Sequence, residues 1–156
     1  MDEDQRQTPA ADLSDVDEFE LSGFFPYQTR VFYRHVSNAV SRIYESLYAM
    51  KPYEWRTLAI LGPNNEYTAL EIVDRSSMDK VSVSRAISGL RKRGWLVMRT
   101  HKSDARSRVL RLSKAGRDAY ADLVPRMLDV ERSLLSALTP DETRELQRLM
   151  KKMTSR

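Results

Sequence analysis

The chain has no cysteine. Disulfides, cysteine-ligated metals and thiol-based redox sensing are therefore outside its chemistry. His35 and His101 are its only histidines, too few for a histidine-rich metal site. Five glycines are present, and none stands in a phosphate-cradling loop or a nucleophile elbow. Without those motifs, paired helical histidines or a cysteine nucleophile, the sequence reads against an enzyme, and no cofactor or metal is expected. No apolar run approaches the ~20 residues that a membrane-spanning helix needs. The first residues are acidic instead of basic and then apolar, which reads against a secretory signal. The expected location is cytoplasmic, with no membrane partner.

What is present is ordinary in amount and unusual in distribution. A length of 156 residues suits one compact domain with helical extensions, and 41% hydrophobic with 31% charged residues suits a soluble chain. The net charge of +4 conceals four blocks. Residues 1–20 hold eight acids against Arg6, a balance of −7, and residues 21–74 balance at zero. Residues 75–117 hold thirteen bases against Asp79 and Asp104, a balance of +11, and residues 118–156 return to zero. A basic run is usually a solvated face. Here the whole excess surrounds one short segment, which favours a phosphate-binding footprint.

That segment runs from Asp79 to Leu112. Asp79 is placed to cap a helix through Arg93, in which Val83, Ile87 and Leu90 share one buried stripe. The opposite face carries Val81, Arg85, Ser88 and Lys92, with Ser82 and Ser84 on its shoulders and Lys80 in its first turn. A short, polar, basic face of this kind suits a DNA major groove, with Arg85 able to grip a guanine edge. Gly94 suits the left-handed position after a helix. Trp95 to Thr100 reads as a strand, residues 102–107 as a turn, and Val109 to Leu112 as a second strand. Arg108 adds a base beside that turn, and Arg106 at its tip suits a narrow minor groove. A helix with a basic outer face followed by a basic hairpin is the pattern of a winged helix-turn-helix.

Asp79, Val83-Ser84-Arg85, Leu90, Gly94, Asp104-x-Arg106 and Leu112-Ser113-x-x-Gly116 resemble the MarR family of bacterial transcriptional regulators. The resemblance covers roughly residues 22–153 and is densest from 79 to 116. It implies that Asp104 orients Arg106 in the wing. Where the family often has a second wing arginine, this chain has Ala105, so one expected contact is absent.

The rest of the chain fits around that segment. Residues 1–21 read as an acidic mobile arm. A long helix opens at Phe24 to Tyr27 and continues through Phe32, Val36, Ala39, Ile43 and Leu47. Pro52 breaks it, and a short helix from Tyr53 to Leu61 ends in the Gly62-Pro63-Asn64-Asn65 turn. Thr68 and Glu71 have capping-box spacing, so a first helix of the helix-turn-helix runs to about Ser77. Ser113 starts another long helix, which Pro125 should kink or break. Thr139-Pro140-Asp141-Glu142 opens the last helix, with Leu146, Leu149, Met150 and Met153 on one side.

The expected architecture is mainly α with a small β-wing. Residues 51–113 form the winged helix-turn-helix, and 22–50 with 114–156 form dimerisation helices. The terminal helices carry more apolar face than so small a winged domain can cover, so they pack either on each other within one chain or across a homodimer. The resemblance implies the homodimer. It further implies a repressor on a palindromic double-stranded operator, released by a small aromatic carboxylate or its thioester. By position, Tyr27, Arg30, His35 and Trp55 would surround that effector. The alternative for these four is core aromatics and a solvated arginine. The rival function is a winged-helix protein-interaction module that never reads DNA.

Overall fold

The computed structural model describes residues 18–100 and 108–155. A 3-10 turn at Leu21–Gly23 precedes α1 (Phe25–Tyr48), α2 (Pro52–Leu61), β1 (Tyr67–Thr68), α3 (Ala69–Ser76) and α4 (Lys80–Lys92). β2 (Leu96–Thr100), β3 (Arg108–Leu112), α5 (Lys114–Leu135) and α6 (Pro140–Thr154) follow. The expected class is the one found: mostly helical, with one small antiparallel sheet. The chain divides into two compact units, Met1–Val36 and Ser37–Arg156, with the boundary inside α1.

In the first unit, Gln28 donates to the Ser22 carbonyl at 3.1 Å, and the rings of Phe19 and Phe24 meet edge to face at 5.4 Å. Phe24, Phe25, Tyr27, Phe32 and Tyr33 are all exposed there.

In the second unit, side-chain caps set where the helices begin. The Thr68 hydroxyl accepts from Glu71 N–H at 3.2 Å while the Glu71 carboxylate accepts from Thr68 N–H at 2.7 Å, the reciprocal box expected at α3. Thr139 and Glu142 repeat it at α6, at 3.3 and 2.8 Å. Ser113 caps α5 by accepting from Gly116 N–H at 3.1 Å, while its own hydroxyl donates to the Gly94 carbonyl at 2.7 Å. The helix start is thereby tied to the end of α4.

The core gathers Met50, Leu58, Leu61, Ile72, Val83, Leu90, Leu110, Leu112 and Leu123 from α2, α3, α4, β3, α5 and the α1–α2 link. α2 lies against α4 at Gly89, where a Cβ would overlap the buried Glu54 carboxylate.

Three expectations are corrected. The two expected wing strands do pair, β2 antiparallel to β3, but they are not alone: β1 joins them in a three-stranded sheet of order β1-β3-β2, with Tyr67 opposite Leu110 and Thr68 opposite Val109. A two-residue strand is too short to show alternation, so only its distant partner identifies it. Pro125 does not break α5, which runs unbroken from Lys114 to Leu135. Proline removes one ladder bond, and Ala119 and Leu123 before it with Met127 and Val130 after it hold the helix to its neighbours. The helix expected to reach Arg93 ends at Lys92, with Arg93 as its cap.

The apolar stripe of α6 is open to solvent, with Leu149, Met150 and Met153 exposed by 42%, 52% and 63%. Among the described residues, no helix is long and apolar enough to cross a membrane.

Candidate nucleic-acid interface

The turn between α3 and α4 is held by local bonds. Ser77 takes a left-handed conformation with φ 53°, ending α3. The Ser76 hydroxyl donates to the Val73 carbonyl and accepts from Met78 N–H, both at 3.2 Å. Asp79 then caps α4, its carboxylate accepting from Ser82 N–H at 2.6 Å. That backbone bond is the main reason the Asp79 carboxyl is held below the ordinary carboxylate range, and the Arg85 charge adds a smaller effect in the same direction. At the other end Gly94 turns left-handed at φ 70°, Gly94 N–H returns to the Arg91 carbonyl and Trp95 N–H to the Leu90 carbonyl, both at 2.9 Å. α4 therefore has firm ends and a firm turn before it.

Its two faces divide as the periodicity requires. Val83, Ala86 and Leu90 are buried and Ile87 is half-buried. Lys80, Val81, Ser84, Arg85, Ser88, Arg91 and Lys92 are exposed, whereas Ser82 is half-buried over the capped first turn. Lys80, Arg85, Arg91 and Lys92 make no ion pair among the described residues. A shallow depression of about 430 Å³ is lined by Ser84, Ile87, Ser88, Arg91 and Lys92. Beside it lies a groove between α3 and α4 of about 280 Å³, lined by Ala69, Leu70, Val73, Lys80, Val83, Ser84 and Ile87. Arg91 was missed in the sequence reading; the spacing Ser84, Ser88, Arg91 is the signal that places it on this face.

In the wing, Arg108 and Arg99 stand exposed on β3 and β2, and Arg108 donates to the Met98 sulfur at 3.5 Å. Asp104 and Arg106 lie outside the described residues. Arg111 is turned away to Glu66 at 3.8 Å, and Arg75 covers the Tyr67 ring at 4.5 Å.

The four residues assigned to an effector have different surroundings. Tyr27, Arg30 and His35 are exposed on the first unit. Trp55, on the second, is half-buried and stacked on Tyr44 at 6.3 Å, as a core aromatic would be.

A capped helix pair joined by a fixed turn, with a three-stranded sheet beside it, is a winged helix-turn-helix. Residues 50–107 match the model of the MarR family. Solved structures share the fold. Bordetella bronchiseptica BpsR, whose DNA binding is regulated by 6-hydroxynicotinic acid, has a TM-score of 0.80 and 19% identity, over 88% of this chain and 98% of that one. A MarR-family transcriptional regulator from Silicibacter pomeroyi has a TM-score of 0.72 and 23% identity, over 88% and 92%. Staphylococcus aureus MepR, in a complex with DNA, has a TM-score of 0.74 and 17% identity, over 83% and 96%. No curated protein matches the chain in sequence.

Proposed function

We propose that this chain is a ligand-responsive transcriptional regulator that binds a palindromic double-stranded operator as a homodimer. The observation that carries the reading is the outer face of α4. Four cations, Lys80, Arg85, Arg91 and Lys92, stand exposed there with Ser84 and Ser88, and none is paired with an acid among the described residues. Cations without acids on a rigid helix are what phosphates and guanine edges require. In this reading α4 enters the major groove with Arg85 on base edges. Lys80, Ser82, Ser84, Ser88 and Lys92 bind phosphates and neighbouring bases, and Val81 meets a thymine methyl. Arg106, oriented by Asp104, and Arg108 follow the adjacent minor groove. The complex of MepR with DNA supports this use of the fold.

The homodimer is supported by the exposed apolar stripe of α6 and, separately, by the exposed aromatic side chains of the first unit. In that assignment residues 1–21 are an acidic arm, 22–50 and 114–156 build the dimer, and 51–113 read DNA. The effector is a small aromatic carboxylate or its thioester, its binding releases the operator, and in this reading the protein is a cytoplasmic repressor. The regulation of BpsR by 6-hydroxynicotinic acid supports that ligand class. Arg30 or His35 would bond the carboxylate, and Tyr27 would stack on the ring.

Gel shifts with the DNA upstream of the chain's own gene, at two salt concentrations, test the reading. Sequence-selective binding that weakens steeply with salt is expected. Binding absent on every duplex would favour the protein-interaction module instead. Titrating aromatic acids and thioesters into the complex tests release, and Arg30→Ala should weaken release while leaving DNA affinity nearly intact.

A further inference from the structure

Arg93 lies at the C-terminal cap of α4, away from the face assigned to DNA, and its side chain is 27% exposed. All three nitrogens of its guanidinium are engaged. One donates to the Tyr48 carbonyl at 2.8 Å, one to the Ala49 carbonyl at 3.1 Å, and Nε to Glu54 at 3.4 Å. The two carbonyls belong to the end of α1, where the helix leaves acceptors unsatisfied and Ala49 turns left-handed at φ 48°. Glu54 is buried, accepts the Lys51 N–H at 2.8 Å, and occupies the space left by Gly89 of α4. The Arg93 guanidinium also covers the Trp95 ring at 5.3 Å, and that ring meets Tyr48 edge to face at 5.2 Å. The Tyr48 hydroxyl donates to Asp122 of α5 at 2.9 Å, and Asp122 holds Arg126 at 3.0 Å. Burial first, and then the bond to Asp122, raise the Tyr48 hydroxyl above its ordinary pKa, so it remains a donor at neutral pH. One continuous set of bonds thus joins the end of the recognition helix to the α1–α2 corner and on to α5.

We propose that Arg93 is the positioning residue of the recognition helix, fixing the angle at which α4 is presented from the α1–α5 pair. The inference rests on the DNA-binding reading above and deepens it. Val83, Ala86 and Leu90 hold α4 by apolar contact, which is strong but has no direction. A planar guanidinium with three directed bonds supplies the direction, and a lysine at the same place would offer only a point charge. Any displacement of α1 against α5 must break the Tyr48–Asp122 bond or move Arg93 with it. The joint therefore carries a change at the α1–α5 pair to the DNA-reading face as a discrete event.

The test uses the full chain and a duplex enriched from a randomised pool by the wild-type protein. A second duplex has one base pair inserted between the half-sites, which turns one half-site by about 35°. Wild type should discriminate strongly between the two. In Arg93→Gln that discrimination should fall by about 2- to 30-fold, the range seen for mutations along coupling networks. Arg93→Lys should recover part of it. Tyr48→Phe, which cuts the far end and leaves Arg93 in place, should move the ratio in the same direction by less, and it carries the test should Arg93→Gln fail to fold. A folded variant that weakens both duplexes equally, or leaves the ratio at its wild-type value, reduces Arg93 to a stabilising contact and overturns the proposal. If no duplex is enriched at all, the DNA-binding reading itself fails, a result distinct from an unchanged ratio.

Discussion

α4 and α6 are both amphipathic and both leave one face to solvent, yet they differ in whether the apolar side is covered. On α6, Asp141 pairs with Arg144 and Glu145 with Arg148, so two of its four cations are neutralised within their own helix and Lys151 and Lys152 of the last turn are not. What distinguishes α6 is an apolar stripe left open to solvent: Leu149, Met150 and Met153. On α4 the apolar face is buried, and the unpartnered groups are cations. One helix lacks an apolar partner and the other lacks an anion. The two unmet requirements point to different macromolecules: a second copy of the chain for α6 and a polyanion for α4.

The most damaging way to break this contrast is to charge the apolar stripe of α6. Leu149→Glu or Met150→Glu should dissociate or unfold the protein and abolish operator binding, because a core-like interface does not tolerate an unpaired charge. Sedimentation at micromolar concentration reads the first effect and gel shift the second. A wild-type chain that is a well-folded monomer, and still binds a palindromic site tightly, would remove the basis for the dimer.

A second change attacks the seat of α4 from behind. Gly89→Ala places a methyl group on the Glu54 carboxylate. Because that carboxylate is buried and bonded on both oxygens, it has little room to move. A loss of about 1–3 kcal/mol is expected from overpacking, measured by urea unfolding.

Arg85→Ala sharpens the contrast at the reading face. If the guanidinium grips a base edge, affinity should fall by about 1–3 kcal/mol per half-site, with preference relaxed at one base pair. A series of operators varied one pair at a time measures this. An equal loss on every sequence would make Arg85 a phosphate clamp and leave the reading to its neighbours.

The smallest effect concerns the cap. The folded-state pKa of Asp79 is depressed, so its contribution is present above the ordinary carboxylate pKa and lost as pH falls through the lower folded value. Asp79→Asn should therefore lower the melting temperature at neutral pH, and the gap from wild type should close as pH falls below about 4. A gap independent of pH would show that the charge plays no part in the cap.

Much of the interface was legible in one dimension. The three caps at Thr68, Asp79 and Ser113, the stop at Gly94 and the two faces of α4 all depend on residues within a turn or two of each other. Local sequence therefore carries them, and the charge blocks added which face is cationic. Arg91 escaped only because a helical face is wider than the four positions first assigned to it. The strand β1 escaped because two residues carry no period.

What the chain determined by itself is where its helices start and stop and which side of each is apolar, since capping bonds and the 3.6-residue repeat act over short separations. The tertiary structure alone decided that Tyr67 completes a sheet with Leu110, and that Arg93 spans from α4 to the end of α1. It alone decided that Gly89 yields its place to Glu54. No period relates residues so far apart along the chain. They meet because packing the apolar stripes brings their backbones within reach, and each buried polar group must then find the partner that packing has placed beside it.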